Sequence, residues 1–150
     1  MSLLYNLNDE LKAAMRAKDS MKLEALRAIK SEVLLVQTSS QGSALLSKDQ
    51  EIKLLQRLVK QRKDSSAIYK DQNRKDLASL EEDQAAVIAT FLPEQLTFEE
   101  IEKIVASIIS KIGAKGMKHM GQVMGVASKE MAGKADGKTI STIVKQKLSS

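Results

Sequence analysis

The segment LPEQLTFEEIEKIVASIISKIG, Leu92–Gly113, decides the fold. Pro93 pushes the residue before it out of the helical region of backbone conformation, so a preceding helix should end just ahead of it. Thr97 followed three residues later by Glu100 is the pattern of a capping box, in which each side chain bonds the other's backbone N–H, and it predicts a new helix. Apolar residues then repeat at helical spacing until Gly113, a residue type that commonly ends helices in a left-handed conformation. The segment therefore predicts that one helical unit ends and another begins within it.

Upstream of this segment, apolar residues recur every three or four positions in four successive stretches, which is the period of an α-helix. The first stretch is built on Leu3, Leu7, Leu11 and Met15. The second is followed by the polar residues Thr38–Ser43, which are predicted to form a loop. Ser47 with Gln50 repeats the capping-box pattern and opens a long third helix, and a break around Asn73 precedes the fourth. Residues 1–92 are therefore predicted to form a four-helix unit.

Downstream, residues 93–150 are predicted to form a smaller unit of three helices. The first lies within the quoted segment, and the second runs from about Met117 to Ala132. Gly133 closes that helix, and Asp136 is predicted to cap the third. The core-facing side of the second helix is predicted to consist of Met117, Met120, Val123, Met124 and Met131. Since no stretch shows the alternation of a β-strand, the predicted fold class is all-α.

The composition supports this class and excludes several kinds of chemistry. Hydrophobic residues make up 43% of the 150 and charged residues 29%, as in soluble globular proteins, while aromatic residues are only 3%, which suits packed helices better than a sheet. Because the chain has no cysteine, disulfides, thiolate metal sites and cysteine nucleophiles are excluded, in keeping with a reducing cytosol. No apolar run approaches the roughly 18 residues that span a bilayer. We therefore expect a cytoplasmic protein without a membrane partner.

The charge is distributed unevenly along the chain. Residues 1–112 carry 17 basic and 17 acidic side chains, whereas residues 113–150 carry seven lysines against Glu130 and Asp136, a net charge of +5. Clustered cations gain free energy by displacing the counterions held by phosphates, so the asymmetry indicates a polyanionic partner such as RNA. A lysine-rich surface that favours solubility is the alternative, and the charge alone does not decide between them.

The stretch GMKHMGQVMG, residues 116–125, contains the only histidine of the chain. His119 fits a surface or helix-terminal position, an RNA contact, or a metal ligand or general base. The last of these needs converging partners, and the sequence shows no metal-binding or catalytic set. Gly121 and Gly125 lie one turn apart on the predicted helix and make a narrow face for close approach. We interpret that face as packing against a neighbouring helix of the fold, with an RNA backbone or a partner protein as the alternatives.

The segment GKADGK, Gly133–Lys138, lacks the glycine spacing and the Lys-Ser/Thr ending of a nucleotide-binding phosphate loop. It is predicted instead to end one helix, turn, and cap the next. A second basic group, interpreted as a solvated helix face, consists of Arg57, Lys60, Arg62 and Lys63. No catalytic residue is assigned, and neither a cofactor nor a metal is expected.

Two longer patterns occur together in the chain. The first is KQRKD, from Lys60 to Asp64, followed by LPEQL, and the second is GQVMG followed by GKADGK. In this combination the chain resembles the YqeY-like proteins over essentially its whole length. Its C-terminal unit is similar to the tail domain of the B subunit of glutamine-dependent tRNA amidotransferase, a helical module that touches the outer corner of tRNA in that enzyme. One departure is His119, where the family pattern has Asp.

The resemblance implies a helical fold in two units, with tRNA or another structured RNA as the partner. The candidate RNA-binding residues are His119 and the basic positions of the matching region, Lys115, Lys118, Lys129, Lys134 and Lys138. The parts of the amidotransferase that activate the acid and release ammonia have no match, so the chain is not expected to be an enzyme on its own. The predicted function is a non-catalytic, tRNA-related binding module or adapter. The alternatives are a protein-interaction accessory of the translation machinery, and participation through a partner enzyme in carbon–nitrogen ligation with glutamine as amide donor.

Overall fold

The computed structural model describes residues 2–39 and 45–149. Within these ranges the chain forms seven α-helices and no strand, which confirms the predicted all-α class. The helices are α1 (Leu7–Ala17), α2 (Ser20–Ser39), α3 (Lys48–Asp71), α4 (Lys75–Ala89), α5 (Phe98–Ile112), α6 (Met120–Glu130) and α7 (Gly137–Ser149). Of the predicted loop Thr38–Ser43, the first two residues belong to the end of α2 and the others lie outside the described residues. Contacts divide the chain into two compact units, Met1–Leu92 and Pro93–Ser150.

The first unit contains α1 to α4, with α4 packed against both α2 and α3, and α1 packed against α2. Its most deeply buried large side chains are Leu26, Ile29, Leu55 and Ile88. The predicted stripe of α1 is partly wrong, because Leu7, Leu11 and Ala14 face the core while Met15 is 57% exposed. Ala14 and Met15 are adjacent and point to different sides of the helix. The small Ala14 side chain is buried, and the long Met15 side chain extends into solvent.

Local signals set the ends of the helices in this unit. The capping box of Ser47 and Gln50 is confirmed, with the Gln50 N–H donating to the Ser47 hydroxyl at 3.2 Å and the Ser47 N–H donating back to the amide oxygen at 2.9 Å. The predicted break at Asn73 is confirmed as well, since this residue adopts a left-handed conformation with φ of 59° between α3 and α4. Such a residue interrupts the helical hydrogen-bond ladder, so α4 starts in a new direction.

The second unit contains α5, α6 and α7, and each of these helices packs against the other two. Its core includes Val105, Val123, Ile143 and Val144, all fully buried. The helix α5 begins and ends as the sequence predicts. Its first turn is closed by the capping box of Thr97 and Glu100, and Gly113 ends it at a φ of 72°.

The helix α6 is shorter than predicted. A 3-10 turn, Met117–His119, occupies the predicted first turn, and α6 itself ends at Glu130. Met117 is 46% exposed, so its place in the core-facing stripe was wrong. The rest of the stripe is confirmed, because Val123 and Met131 are fully buried and Met120 and Met124 pack against the core.

No helix in the described part of the chain is long and apolar enough to cross a membrane.

Candidate nucleic-acid interface

The five candidate lysines lie at the surface of the second unit. Lys115 follows α5, Lys118 is in the 3-10 turn, Lys129 is on α6, Lys134 is in the α6–α7 loop, and Lys138 is in the first turn of α7. All five are exposed. Within residues 2–39 and 45–149, none of their ammonium groups lies in an ion pair. Their positive charge is therefore available to an external anion.

Several cations of the first unit, unlike the candidate lysines, lie beside acids. The Lys22 and Glu10 side chains are 3.1 Å apart, and Arg57 lies 2.8 Å from Glu32. Lys60, from the basic group interpreted as a solvated face, is exposed and lies 3.1 Å from Asp64 one turn later. Each of these acids compensates a positive charge locally, as Glu102 does for Lys147 in the second unit at 3.5 Å, whereas the five candidate lysines have no such acid beside them within the ranges that the structure describes.

Glu82 is an example of this compensation. It accepts a hydrogen bond from the buried Ser66 hydroxyl at 2.9 Å and pairs with the Lys70 ammonium. The hydrogen bond from Lys70 first, and then that from Ser66, hold the pKa of Glu82 below its usual value. The carboxylate therefore stays ionised and engages Lys70, whose charge is partly neutralised.

The glycines of α6 face away from the core. Val123 and Ala127 occupy the buried side one turn apart, which places Gly121 and Gly125 on the exposed side. A Cβ atom built at either glycine would meet no other atom within 4 Å. The interpretation of these glycines as a packing face within the fold was therefore wrong, since the Val–Ala pair makes that contact instead. Lys129 lies one turn after Gly125, so bare backbone and a free cation share this side of α6.

The ring of His119 is bonded to the backbone of the loop before it. His119 Nδ1 lies 2.9 Å from both the backbone nitrogen and the carbonyl oxygen of Lys115, so it accepts from the N–H in one ring tautomer and donates to the carbonyl in the other. His119 thereby holds Lys115 beside the turn that carries Lys118. Among the described residues, no group of three or more His, Asp or Glu side chains lies close enough to hold a metal ion. The RNA contact of His119 stays a prediction.

The segment GKADGK turns and caps α7 as predicted, but Gly133 does not close α6, because that helix ends at Glu130 with Met131 as its C-cap. Gly133 is buried and has a φ of 78°, a conformation that strains residues with a Cβ atom. Asp136 caps α7, with its carboxylate accepting the Thr139 N–H at 3.2 Å and the Thr139 hydroxyl at 2.6 Å. The α7 N-terminus therefore already has a carboxylate, and Lys138 is exposed just after it.

The two sequence patterns that precede α5 and α7 contact each other in the structure. The Gln95 side-chain amide donates to the carbonyl oxygens of Pro93 and Gly133, at 2.7 Å each. The Leu96 N–H donates to the Lys134 carbonyl oxygen at 2.8 Å. Sequence reasoning missed these contacts, because they join residues 38 positions apart and no local pattern indicates them.

These contacts decide how the candidate residues are grouped. Lys115, Lys118 and His119 are close in the chain, and the His119 ring contacts the Lys115 backbone, while Lys134 and Lys138 lie in and just after one anchored loop. Lys129 stands apart from both groups on the exposed side of α6. The candidate residues thus belong to three different parts of the second unit: the turn before α6, α6 itself and the α6–α7 loop with the start of α7.

The sequence profile of the Yqey-like protein family matches residues 4–148. The chain belongs to this family. This Yqey-like protein is 40% identical over 79 residues to the E subunit of the glutamyl-tRNA(Gln) amidotransferase of Thermococcus gammatolerans. The alignment covers 49% of this chain and 13% of that archaeal protein. It is 31% identical over 125 residues to the altered inheritance of mitochondria protein 41, mitochondrial, of Vanderwaltozyma polyspora, covering 77% of this chain and 65% of that protein.

A further relative is the protein of the same name from Clavispora lusitaniae, which is 28% identical over 135 residues, 87% of this chain and 77% of that protein. The chain spans less than two thirds of the length of the archaeal protein and of the Vanderwaltozyma protein. These similarities confirm the resemblance to the Yqey-like family and to a component of a tRNA amidotransferase. They also show that a segment similar to about half of this chain occurs within a much longer protein.

Proposed function

We propose that this Yqey-like protein is a non-catalytic RNA-binding module or adapter whose C-terminal unit contacts the backbone of tRNA or another structured RNA. The observation that carries the proposal is the set of five exposed lysines without ion-pair partners in the described part of the chain. Lysine is a compact point charge, suited to phosphates and without sequence preference. The similarity to a protein whose name includes glutamyl-tRNA(Gln) supports tRNA as the partner class. Cytoplasmic location is part of this proposal.

The side of α6 that carries Gly121 and Gly125 is proposed as the surface of closest approach. Without side chains at these positions, an RNA backbone can reach the helix backbone itself, and Lys129 lies next to the point of contact. Gly125, in the interior of α6, costs roughly 1 kcal/mol relative to alanine, and no packing within the unit compensates this cost. External contact supplies a reason for this glycine.

Filter binding of tRNA at rising salt tests the proposal. The double variant Lys134→Ala and Lys138→Ala should bind about tenfold more weakly near about 50 mM salt, and the slope of log affinity against log salt should fall by roughly 1.4 to 1.8. The matched control is Lys60→Ala with Lys70→Ala, which removes the same charge from positions beside acids. It should change affinity little.

Two results would refute the proposal: absence of tRNA binding by the wild-type protein near about 50 mM salt, or equal losses in the two double variants. The second result would mean that net charge, and not the C-terminal lysines, determines binding. Glutamine hydrolysis by the isolated protein would refute the non-catalytic part. Amide transfer that needs both this chain and a partner enzyme would instead support the ligase alternative.

A protein-interaction accessory of translation is the second candidate, and an observation on the first unit favours it. Leu34 and Leu35 of α2 are 52% and 60% exposed, and Leu34 lines a groove of about 600 Å³ together with Leu4 and Leu46. Exposed leucines of this kind suit a hydrophobic partner. If a fragment of residues 1–92 retained a translation protein after nuclease treatment, and Leu34→Ser with Leu35→Ser released it, this second function would be supported.

A further inference from the structure

The Gln95 side chain is fully used as a donor between two segments that lie 38 residues apart in sequence. A glutamine amide has two N–H bonds, and here one is directed at the Pro93 carbonyl and the other at the Gly133 carbonyl. The N–H of Leu96, the next residue, donates to the Lys134 carbonyl oxygen. Two consecutive carbonyls of the α6–α7 loop are thus held by the segment that precedes α5.

The same loop is anchored on its other side by α6 and α7. The Lys134 N–H donates to the Met131 carbonyl at 2.9 Å, and Met131 is 1% exposed. Ala135 is buried as well, and Asp136 caps α7. The backbone of Lys134 is therefore fixed at both its N–H and its C=O, while its side chain stays in solvent.

A fixed backbone matters for a lysine that binds an anion. The long side chain loses rotamer freedom on binding, and a mobile loop would add a backbone cost to that loss. Gln95 itself is exposed, so its bonds add little to the core of the unit. Its geometry is better explained by the placement of the loop than by stability of the fold.

We propose that Gln95 is a positioning residue for the RNA contact of Lys134, an inference that rests on the function proposed above. Gln95 fixes the Gly133 carbonyl and thereby the direction in which Lys134 leaves the loop. Removing the Gln95 amide releases the α6–α7 loop at Gly133 and leaves the charge of the protein unchanged.

Gln95→Met tests this, because methionine has a similar length and no donor. The matched control is Gln146→Met, at an exposed position of α7. In tRNA filter binding, Gln95→Met should weaken affinity about threefold to tenfold, and the control should not. The double variant Gln95→Met with Lys134→Ala should bind like Lys134→Ala alone, because the two changes remove one contact. Amide exchange at Lys134 should be faster in Gln95→Met, with the melting temperature nearly unchanged.

The possible outcomes separate this inference from the function on which it rests. If the wild-type protein binds tRNA and Gln95→Met matches its control, Gln95 has no positioning role. Losses that add in the double variant would likewise overturn the inference, since they would indicate a contact of Gln95 independent of Lys134. If the wild-type protein binds no RNA, the proposed function fails and the inference fails with it.

Discussion

Replacing Gly125 by alanine should stabilise the protein, although glycine belongs to the pattern that identifies the family. Gly125 lies in the interior of α6, and a Cβ atom at this position meets nothing within 4 Å. The gain is therefore the difference in helix propensity, about 0.8–1 kcal/mol, with no steric cost to subtract. For the unit Pro93–Ser150 melting on its own, a gain of about 1 kcal/mol raises the melting temperature by about 4–8 °C.

Thermal unfolding followed by circular dichroism measures this effect, and Gly113→Ala is the matched control. Gly113 also has open space around it, but its φ is 72°, so alanine there should destabilise by about 1–2 kcal/mol. Stability changes of opposite sign at these two glycines, neither of which has a steric obstacle, isolate the contribution of backbone conformation. A loss of stability in Gly125→Ala would refute the reasoning, because it would mean that another part of the protein packs on this side of α6. If RNA approaches this side closely, the stabilised variant should also bind tRNA more weakly.

Two further predictions concern the capping box of α5 and the independence of the units. Hydrogen bonds from the Thr97 backbone and side chain hold the pKa of Glu100 below its usual value, so the carboxylate contributes stability that is complete above about pH 4.5 and is lost as the pH falls towards the lowered pKa. Glu100→Gln keeps an acceptor that does not titrate, and in urea unfolding it should lose less stability than wild type between about pH 6 and about pH 3; equal losses would contradict this role. We also propose that residues 1–92 and 93–150 each fold alone, which predicts one cooperative melting transition per fragment. A fragment that starts at Thr97 should melt at a lower temperature than 93–150, since it lacks Leu96, whose side chain packs against the core of the second unit, and equal melting temperatures would contradict a stabilising role of that packing.

The helix α5 shows how much of the fold local sequence predicts. Its start depends on two residues three apart, Thr97 and Glu100, and its end on Gly113, so every signal lies within the helix or next to it. The all-α class follows from the same kind of local signal repeated along the chain. Nothing about distant contacts is needed for these predictions.

The helix α6 shows where local sequence stops being sufficient. Two pairs of residues one turn apart lie on opposite sides of this helix, Gly121 with Gly125 and Val123 with Ala127. Only the positions of α5 and α7 decide which pair is buried. Its start was misplaced by three residues, because Gly116, with a φ of 75°, is followed by a 3-10 turn and not by α-helix.

For the candidate site, too, the sequence predicted one part and missed another. The excess of lysine was visible in the sequence, but the local compensation of other cations was not. Arg57 pairs with Glu32 across 25 positions of the chain, and such a contact has no sequence signature. The contacts of Gln95 with the loop of Lys134 are equally long-range, which explains why the sequence indicated the lysine and not the residue that holds it.

The link between Gln95 and Gly133 also has a consequence for folding during synthesis. At a translation rate of about 5–20 residues per second, Gly133 leaves the ribosome about 2 to 8 seconds after Gln95. The capping box of α5 spans only four residues, so that helix can begin to form at once, while the Gln95 amide must wait for its second acceptor. The hydrogen bonds between the segment before α5 and the α6–α7 loop therefore form late. A ribosome that pauses before Gly133 would hold the nascent chain with α5 started and its anchoring segment still without its partner.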